Sequence, residues 1–476
     1  MDLKAQHIPT EIIRLLTASE AVEYRLVPYR REEETVYCYG QQGDTGTTAA
    51  EELAVLYGWR VVVTPIPAHE MQRLLLRHYR PGARTASMPQ GRTADIGQGR
   101  QFLFALVAEA LRDNASDIHL EPYRERCRIR MRIDGKLAER YVVERTQYAP
   151  LVNQIKILAD LDISEKRLPQ DGRIGYDSHG EKFDVRVSTL PTIYGEKVVL
   201  RLLTRRVELL ELANLGFSER QYEDYCRAMT RPFGMVLICG PTGSGKSTTL
   251  YATLRRLNAL TDNILTIEDP IEYTLEGVNQ VQLKEEIGLT YTAALRTFLR
   301  QDPDIIMLGE IRDAQTAEMA VRSSLTGHMI FSTIHTNTAW GAVARLTDMG
   351  VHPYLVADTL VMTVAQRLVR MLCPHCKQQA EIADDVRRML PDIDAERHYR
   401  PVGCERCFYT GYAGRRAVYE VITMDDELAA AARQGRADIA HLIAHRKITS
   451  LKDAVTLMFR QGLTSIEELI PMINSH

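Results

Sequence analysis

A chain of 476 residues that is 45% hydrophobic is long enough for about three domains, each with a core of its own. A formal net charge of -3 excludes a chain-wide basic footprint for nucleic acid, and eight cysteines are too few for a disulfide scaffold of this size. No apolar run reaches the roughly eighteen residues of a spanning helix, and Met1-Asp2-Leu3-Lys4-Ala5-Gln6-His7 has no signal-peptide pattern, so a cytoplasmic chain that meets a membrane only through partners is expected.

Residues 1–79 read as a small α/β module. Pro9 to Leu16 and Ser19 to Glu23 suit short helices, Thr35 to Tyr39 and Arg60 to Val63 suit strands, and Thr48 to Tyr57 and His69 to Tyr79 carry helical spacing. Nothing in it has catalytic spacing, which leaves a docking or adaptor role. Residues 80–99, with Pro81, Gly82, Pro89, Gly91, Gly97 and Gly99, read as a flexible linker.

A second, α+β domain is expected over residues 100–213. Phe102 to Arg112 is amphipathic and precedes Ser116-Asp117-Ile118-His119-Leu120-Glu121-Pro122. Cys127 to Ile133 alternates strictly, with Ile129, Met131 and Ile133 on one face and Arg128, Arg130 and Arg132 on the other, the pattern of a half-buried strand. A charged, solvated sheet face is the commoner meaning of such an arginine row and the reading adopted. A helix from Tyr148 to Ala159 and strands at Phe183 to Val187 and Lys197 to Leu203 complete the domain.

The third domain, residues 214–476, holds the segment that organises the chain. An apolar stretch, Met235 to Cys239, leads into Gly240-Pro241-Thr242-Gly243-Ser244-Gly245-Lys246-Ser247-Thr248, and a helical pattern follows. Strand, glycine-rich turn, Gly-Lys-Ser and helix form a phosphate cradle: the glycines let backbone N–H groups converge on an anion, and the helix N-terminus adds its free amides. Lys246 is expected on the β/γ-phosphates of ATP and Ser247 on Mg²⁺.

Three further strands, Asn263 to Ile267, Asp304 to Leu308 and Met329 to Ile334, each end in polar residues: Glu268-Asp269-Pro270, Gly309-Glu310-Ile311-Arg312-Asp313 and His335-Thr336-Asn337. In an open parallel α/β sheet ligands bind beyond the carboxyl ends of strands, so Glu268, Glu310 and His335 should converge on the nucleotide. Gly309 stands where many such acidic strands carry the metal-facing Asp. Glu268 is assigned to orienting water, Glu310 to the metal side, with the exchange of roles left open, and His335 to sensing the γ-phosphate.

Cys373-Pro374-His375-Cys376 and Cys404-Glu405-Arg406-Cys407 form two Cys-x-x-Cys knuckles. Paired knuckles suit one closed tetrahedral Zn²⁺ site with four thiolates and no role for His375; a redox pair is the alternative. The subdomain spans residues 371–412, and its insert from Lys377 to Gly403 should project from the core.

Taken together, these stretches resemble the ATPases of type II secretion and type IV pilus assembly. The resemblance rests on Ser116 to Pro122, the phosphate loop, Thr266 to Tyr273, Leu299 to Asp313, Thr326 to Asn337, Ala365 to Arg370 and the tetracysteine segment through Arg415, in unbroken order over roughly residues 100–476. It implies an α/β chain in which a RecA-like P-loop ATPase domain follows a PAS-like α+β domain and a small N-terminal α/β adaptor. It further implies a homo-hexamer, arginine fingers or clamps at Arg186 and Arg201 with Arg173 a weaker candidate, an inner-membrane platform protein as partner, and a membrane-recruiting adaptor for the N-terminal domain. The tetracysteine insert points to assembly or secretion rather than retraction, and no Arg-Leu-Gly-led cyclic di-GMP motif lies between Met1 and Tyr24. Two competing readings are a nucleic-acid or conjugation motor, disfavoured by the neutral charge, and a nucleotide-gated scaffold without turnover, disfavoured by intact Lys246, Glu268 and Glu310.

Overall fold

The computed structural model describes residues 99–178, 181–203, 211–382 and 398–473 without a break, and shorter stretches before them, chiefly 24–32, 35–41, 57–67 and 92–93. The chain divides into two compact units, Met1–Ser87 and Met88–His476.

In the first unit β1 (Leu26–Glu32) pairs antiparallel with β2 (Thr35–Gln41), which pairs parallel with β3 (Arg60–Ile66). Leu26, Val27, Val36, Cys38, Leu53 and Met71 make its core. The strands expected at 35–39 and 60–63 are present, and the hairpin partner β1 was not anticipated. Most of the helices expected at 19–23, 48–57 and 69–79 lies outside the described residues.

The second unit opens with β4 (Arg92–Thr93), inside the stretch read as linker, which adds parallel to β7 (Lys136–Val143). Helix α1 (Gly99–Arg112), β5 (Ala115–Pro122), β6 (Cys127–Ile133), α2 (Arg145–Leu158), β8 (Gln170–Ser178), β9 (Glu181–Thr192) and β10 (Gly195–Leu203) complete a seven-stranded sheet in the order β4-β7-β6-β5-β10-β9-β8. Strand β6 alternates buried and half-buried as its sequence does, with Ile129 and Met131 facing the core shared with Leu106, Leu151 and Ile155. Its arginines turn to the acids of β5: Arg128 Nε and Arg130 Nη2 lie 3.0 and 2.7 Å from Glu121, and Arg132 Nε lies 3.4 Å from Asp117. The row is thus a partly solvated face neutralised by its own carboxylates.

The larger core belongs to a second seven-stranded sheet. Strands β11 (Gly234–Cys239), β12 (Ile264–Glu268), β13 (Asn279–Gln282), β14 (Ile305–Leu308), β15 (Met329–Ile334) and β16 (Leu360–Leu372) run parallel in it. A short separate pair, β17 (Gln378–Ala380) and β18 (His398–Arg400), then precedes β19 (Tyr412–Thr423), which returns antiparallel at the edge. The order across the sheet is β13-β12-β14-β15-β11-β16-β19. Every residue of β11, β12, β14 and β15 is buried, as expected of strands covered by helices on both faces. Between them run α3 (Lys246–Leu257), α4 (Tyr291–Phe298) and α5 (Ala314–Leu325), the last two capped by Thr290 and Asp313 side chains. Among the described residues no helix is long and apolar enough to cross a membrane.

Within this unit the two sheets meet at defined contacts. Asp134, at the β6–β7 turn, accepts from the Gly414 amide at 2.7 Å and lies 3.4 Å from Arg415 Nε. Arg186 of β9 donates to the Ile271 carbonyl at 2.7 Å, and the Arg140 guanidinium sits 4.3 Å from the Phe408 ring centroid.

Candidate functional site

A cavity of about 550 Å³ opens at the carboxyl ends of β11, β12, β14 and β15. Its floor is the phosphate loop. Gly240, Gly243 and Gly245 adopt φ of 151°, 80° and 87°. A Cβ on Gly240 would stand 2.6 Å from Ser244 Oγ and 2.7 Å from the Gln366 carbonyl, so glycine is required there on both counts. Gln366 of β16 staples the loop to the helix: its Nε2 donates to the Ser244 carbonyl at 2.9 Å, and its Oε1 accepts from Thr249 Oγ1 at 2.8 Å. Lys246 Nζ donates to the carbonyls of Gly240 and Pro241 at 2.8 and 3.0 Å. Burial pushes this ammonium down from its usual range while Glu310 pulls it up.

The acids arrive as expected, in two environments. Glu268 ends β12 at 4% exposure and is held by three side chains. Its carboxylate accepts from Thr266 Oγ1 at 2.6 Å, from Gln280 Nε2 at 3.0 Å and from the Tyr251 hydroxyl. Tyr251 in turn accepts from the Glu272 amide at 3.1 Å, which ties the loop after β12 to α3. Glu310 lies across the cavity in contact with Arg312, with His335 Nε2 at 3.4 Å. Burial alone would raise the Glu310 carboxyl, but Arg312 and His335 outweigh it and hold it below its usual range.

The anomaly at Gly309 has a steric cause. Its amide donates to the Ile267 carbonyl at 2.8 Å, its carbonyl accepts from Thr333 Oγ1 at 2.8 Å, and an added Cβ would lie 3.0 Å from Tyr291 Oη and 3.4 Å from Glu268 Cα. A β-carbon there would press the Tyr291 hydroxyl to move by a few tenths of an ångström, so glycine is the residue this packing takes without adjustment.

Arg186 and Arg201 are neighbours across β9 and β10, and Arg173 of β8 lies opposite Arg186. Arg186 reaches the loop after β12, to Ile271 and to Glu272 at 3.4 Å, whereas Arg201 pairs with Asp117 at 3.2 Å and Arg173 with Asp184 at 2.7 Å. None of the three lines the cavity within this chain.

Beside the phosphate loop a second cavity of about 610 Å³ shares Gly245, Thr248, Leu368 and Arg415 with the first. Leu215, Phe217, Met371 and Ala417 make it largely apolar, the character a purine ring needs. These residues, with Tyr251, Gln280, Tyr291 and Arg312, were not singled out as contributors from the sequence. Their spacing carries no signal, because folding alone brings them beside the loop.

The knuckles meet as the sequence proposed. The four thiol sulfurs of Cys373, Cys376, Cys404 and Cys407 all lie within 4.8 Å of one another, with separations of 3.9 Å for 373–404 and 3.7 Å for 376–407 and 404–407. A tetrahedron with Zn–S near 2.3 Å has sulfur–sulfur edges of about 3.8 Å, so the cage fits zinc, while disulfides need about 2.05 Å. Amides of Gly403, Cys404 and Gly411 donate to the sulfurs at 3.2–3.3 Å, favouring thiolates. Of the insert, β17 pairs with β18, and residues 383–397 lie outside the described residues.

Comparison with known proteins follows the same geography. A family model described as type II/IV secretion system protein matches residues 93–471. The type II secretion system ATPase E of Vibrio cholerae is 46% identical over 375 residues, 78% of this chain and 74% of that one. The type IV pilus assembly ATPase PilB of Thermus thermophilus is 41% identical over 389 residues, 80% of this chain and 44% of its own length. Among solved structures the Legionella pneumophila ATPase DotB superposes with a TM-score of 0.59 at 20% identity, covering 82% of this chain and 99% of that one, a likeness of fold.

Proposed function

The chain belongs to the type II/IV secretion system protein family, and on that premise we propose that it is an ATP-hydrolysing motor that drives secretion or pilus assembly at the inner membrane. The observation that carries this reading is the convergence of Lys246, Glu268, Glu310 and His335 on one cavity floored by a glycine-rich phosphate loop.

In this reading the amides of residues 242–248 and the α3 N-terminus grip the triphosphate, and the base enters the apolar cavity beside Phe217 and Leu368. Mg²⁺, held through Ser247 and on the Glu310 side, supplies charge neutralisation when bound. Lys246 exchanges its loop carbonyls for phosphate oxygens. Glu268, fixed by Tyr251, Thr266 and Gln280, presents a carboxylate of set orientation to the attacking water, and His335 bridges the γ-phosphate and Glu310. Arg186 and Arg201 belong to a surface that meets phosphates of a neighbouring copy in a hexameric ring.

The domain plan of an adaptor at 1–79, a linker at 80–99 whose end from β4 on joins the next domain's sheet, a PAS-like domain at 100–213 and an ATPase domain at 214–476 goes with this function. Nucleotide turnover would shift the PAS-like domain against the ATPase domain, and the adaptor would dock the motor, cytoplasmic by itself, on membrane partners. The zinc cage would be structural, and its presence favours assembly or secretion over retraction.

The test is phosphate release by the purified full chain with Mg²⁺ and ATP. Release should depend on Mg²⁺ and vanish in Lys246→Ala. Release no greater than that variant's, even with the membrane partner supplied, would overturn the reading.

A further inference from the structure

The two residues directly after the second cysteine knuckle, Phe408 and Tyr409, hold φ of 51° and 60°, the left-handed region that side chains rarely adopt. Neither is glycine, so the chain keeps a costly backbone where glycine would be free. The knuckle itself fixes it, since the Phe408 and Tyr409 amides donate to the carbonyls of Glu405 and Cys404 at 3.2 and 2.9 Å. The turn delivers the Phe408 ring, half-buried, to the core of the first seven-stranded sheet, against which it packs. There the Arg140 guanidinium of β7 stands 4.3 Å from the ring centroid, and Arg140 is itself held by Glu109 at 2.6 Å and by Asp113, at the end of α1. Six residues further on, the Gly414 amide donates to Asp134 at 2.7 Å, and Arg415 Nε lies 3.4 Å from the same carboxylate. The segment 404–415 thus runs from two sulfurs of the cage, through two contacts with the first sheet, to a side chain that lines both nucleotide cavities.

We propose that the zinc cage has a second function as a joint between the two sheets: it fixes the turn that seats the first sheet, through Phe408 and Gly414, on the domain that carries the phosphate loop. The inference rests on the zinc cage and the domain plan proposed above. Without the metal, Cys404 and Cys407 lose their shared ligand, and the left-handed pair that follows loses the anchor that holds it. The strap relaxes towards ordinary backbone and the ring withdraws from Arg140. Arg415 remains paired with Arg370 across β19 and β16, so the nucleotide cavities keep their walls when the strap lets go.

The test is amide exchange in the full-length chain, read peptide by peptide. Chelation should speed exchange in α1 and β7 by about tenfold, the scale of one desolvated guanidinium–ring contact, with MgATP affinity unchanged. Phe408→Gly separates the ring from the metal, because glycine takes the left-handed turn without cost. It should retain one zinc per chain, leave β11 and β15 protected, and still speed α1 and β7 as chelation does. Asp134→Gly, at another residue of positive φ, should speed the β6–β7 turn with zinc retained. Chelation whose effect stops at residues 371–412, wild-type exchange of α1 and β7 in Phe408→Gly, or loss of zinc from that variant would overturn the inference. A chain that binds no zinc would instead overturn the cage and this inference with it.

Discussion

Replacing Glu121 by Gln removes the one carboxylate that three cations of the first seven-stranded sheet share. Its side chain is 5% exposed, with Arg128 Nε at 3.0 Å, Arg130 Nη2 at 2.7 Å and Lys197 Nζ at 3.1 Å. Burial would raise this carboxyl, but Arg130, Lys197 and Arg128 together draw it from 4.5 to about 2. At 1.36 kcal/mol per tenfold, that preference for the charged form corresponds to about 3 kcal/mol, reduced to about 2 kcal/mol by screening at the partly exposed arginines. Because the folded value is depressed, this stability is complete above pH 4.5 and is lost as pH falls towards about 2. Urea unfolding of the wild-type chain and Glu121→Gln should therefore differ by about 2 kcal/mol at neutral pH, with the two curves merging near the acid limit. Amide exchange of β5 and β6 in the variant should accelerate roughly 30-fold. Equal stability at pH 7, or a difference that persists unchanged to pH 2, would refute the reasoning.

Other sites give sharper functional readouts. Cys404→Ser, or chelation, should remove one zinc per chain and roughly 10 kcal/mol of metal-binding free energy, lowering the melting temperature while leaving MgATP affinity intact; unchanged melting after complete metal loss would contradict a structural cage. Gln366→Ala strips partners from the Ser244 carbonyl and the Thr249 hydroxyl, a loss of about 1–3 kcal/mol that calorimetry should register as MgATP affinity weakened by about tenfold or more. Arg186→Ala removes a charge-assisted bond to Ile271 worth about 1.5–3 kcal/mol, so residues 269–273 should exchange amide hydrogens faster and ATP turnover should fall. Wild-type exchange there would show that Arg186 does not hold the loop.

Much of this molecule is written in local order. The strand–glycine loop–helix grammar around Lys246, the acids closing β12 and β14, the alternation of β6 and the paired Cys-x-x-Cys knuckles are each set by residues within a few positions of one another. Side-chain period and turn chemistry act over that range, so these features and the family resemblance were legible at once. What tertiary structure alone decided is which elements become neighbours. The antiparallel register of β5, β10, β9 and β8 sets Asp117, Arg201, Arg186 and Arg173 in one row, β16 brings Gln366 under the phosphate loop, and α4 seats Tyr291 against Gly309. Those pairings follow from burying one face of the first sheet and both faces of the second over separations of tens to hundreds of residues, and no local spacing encodes them.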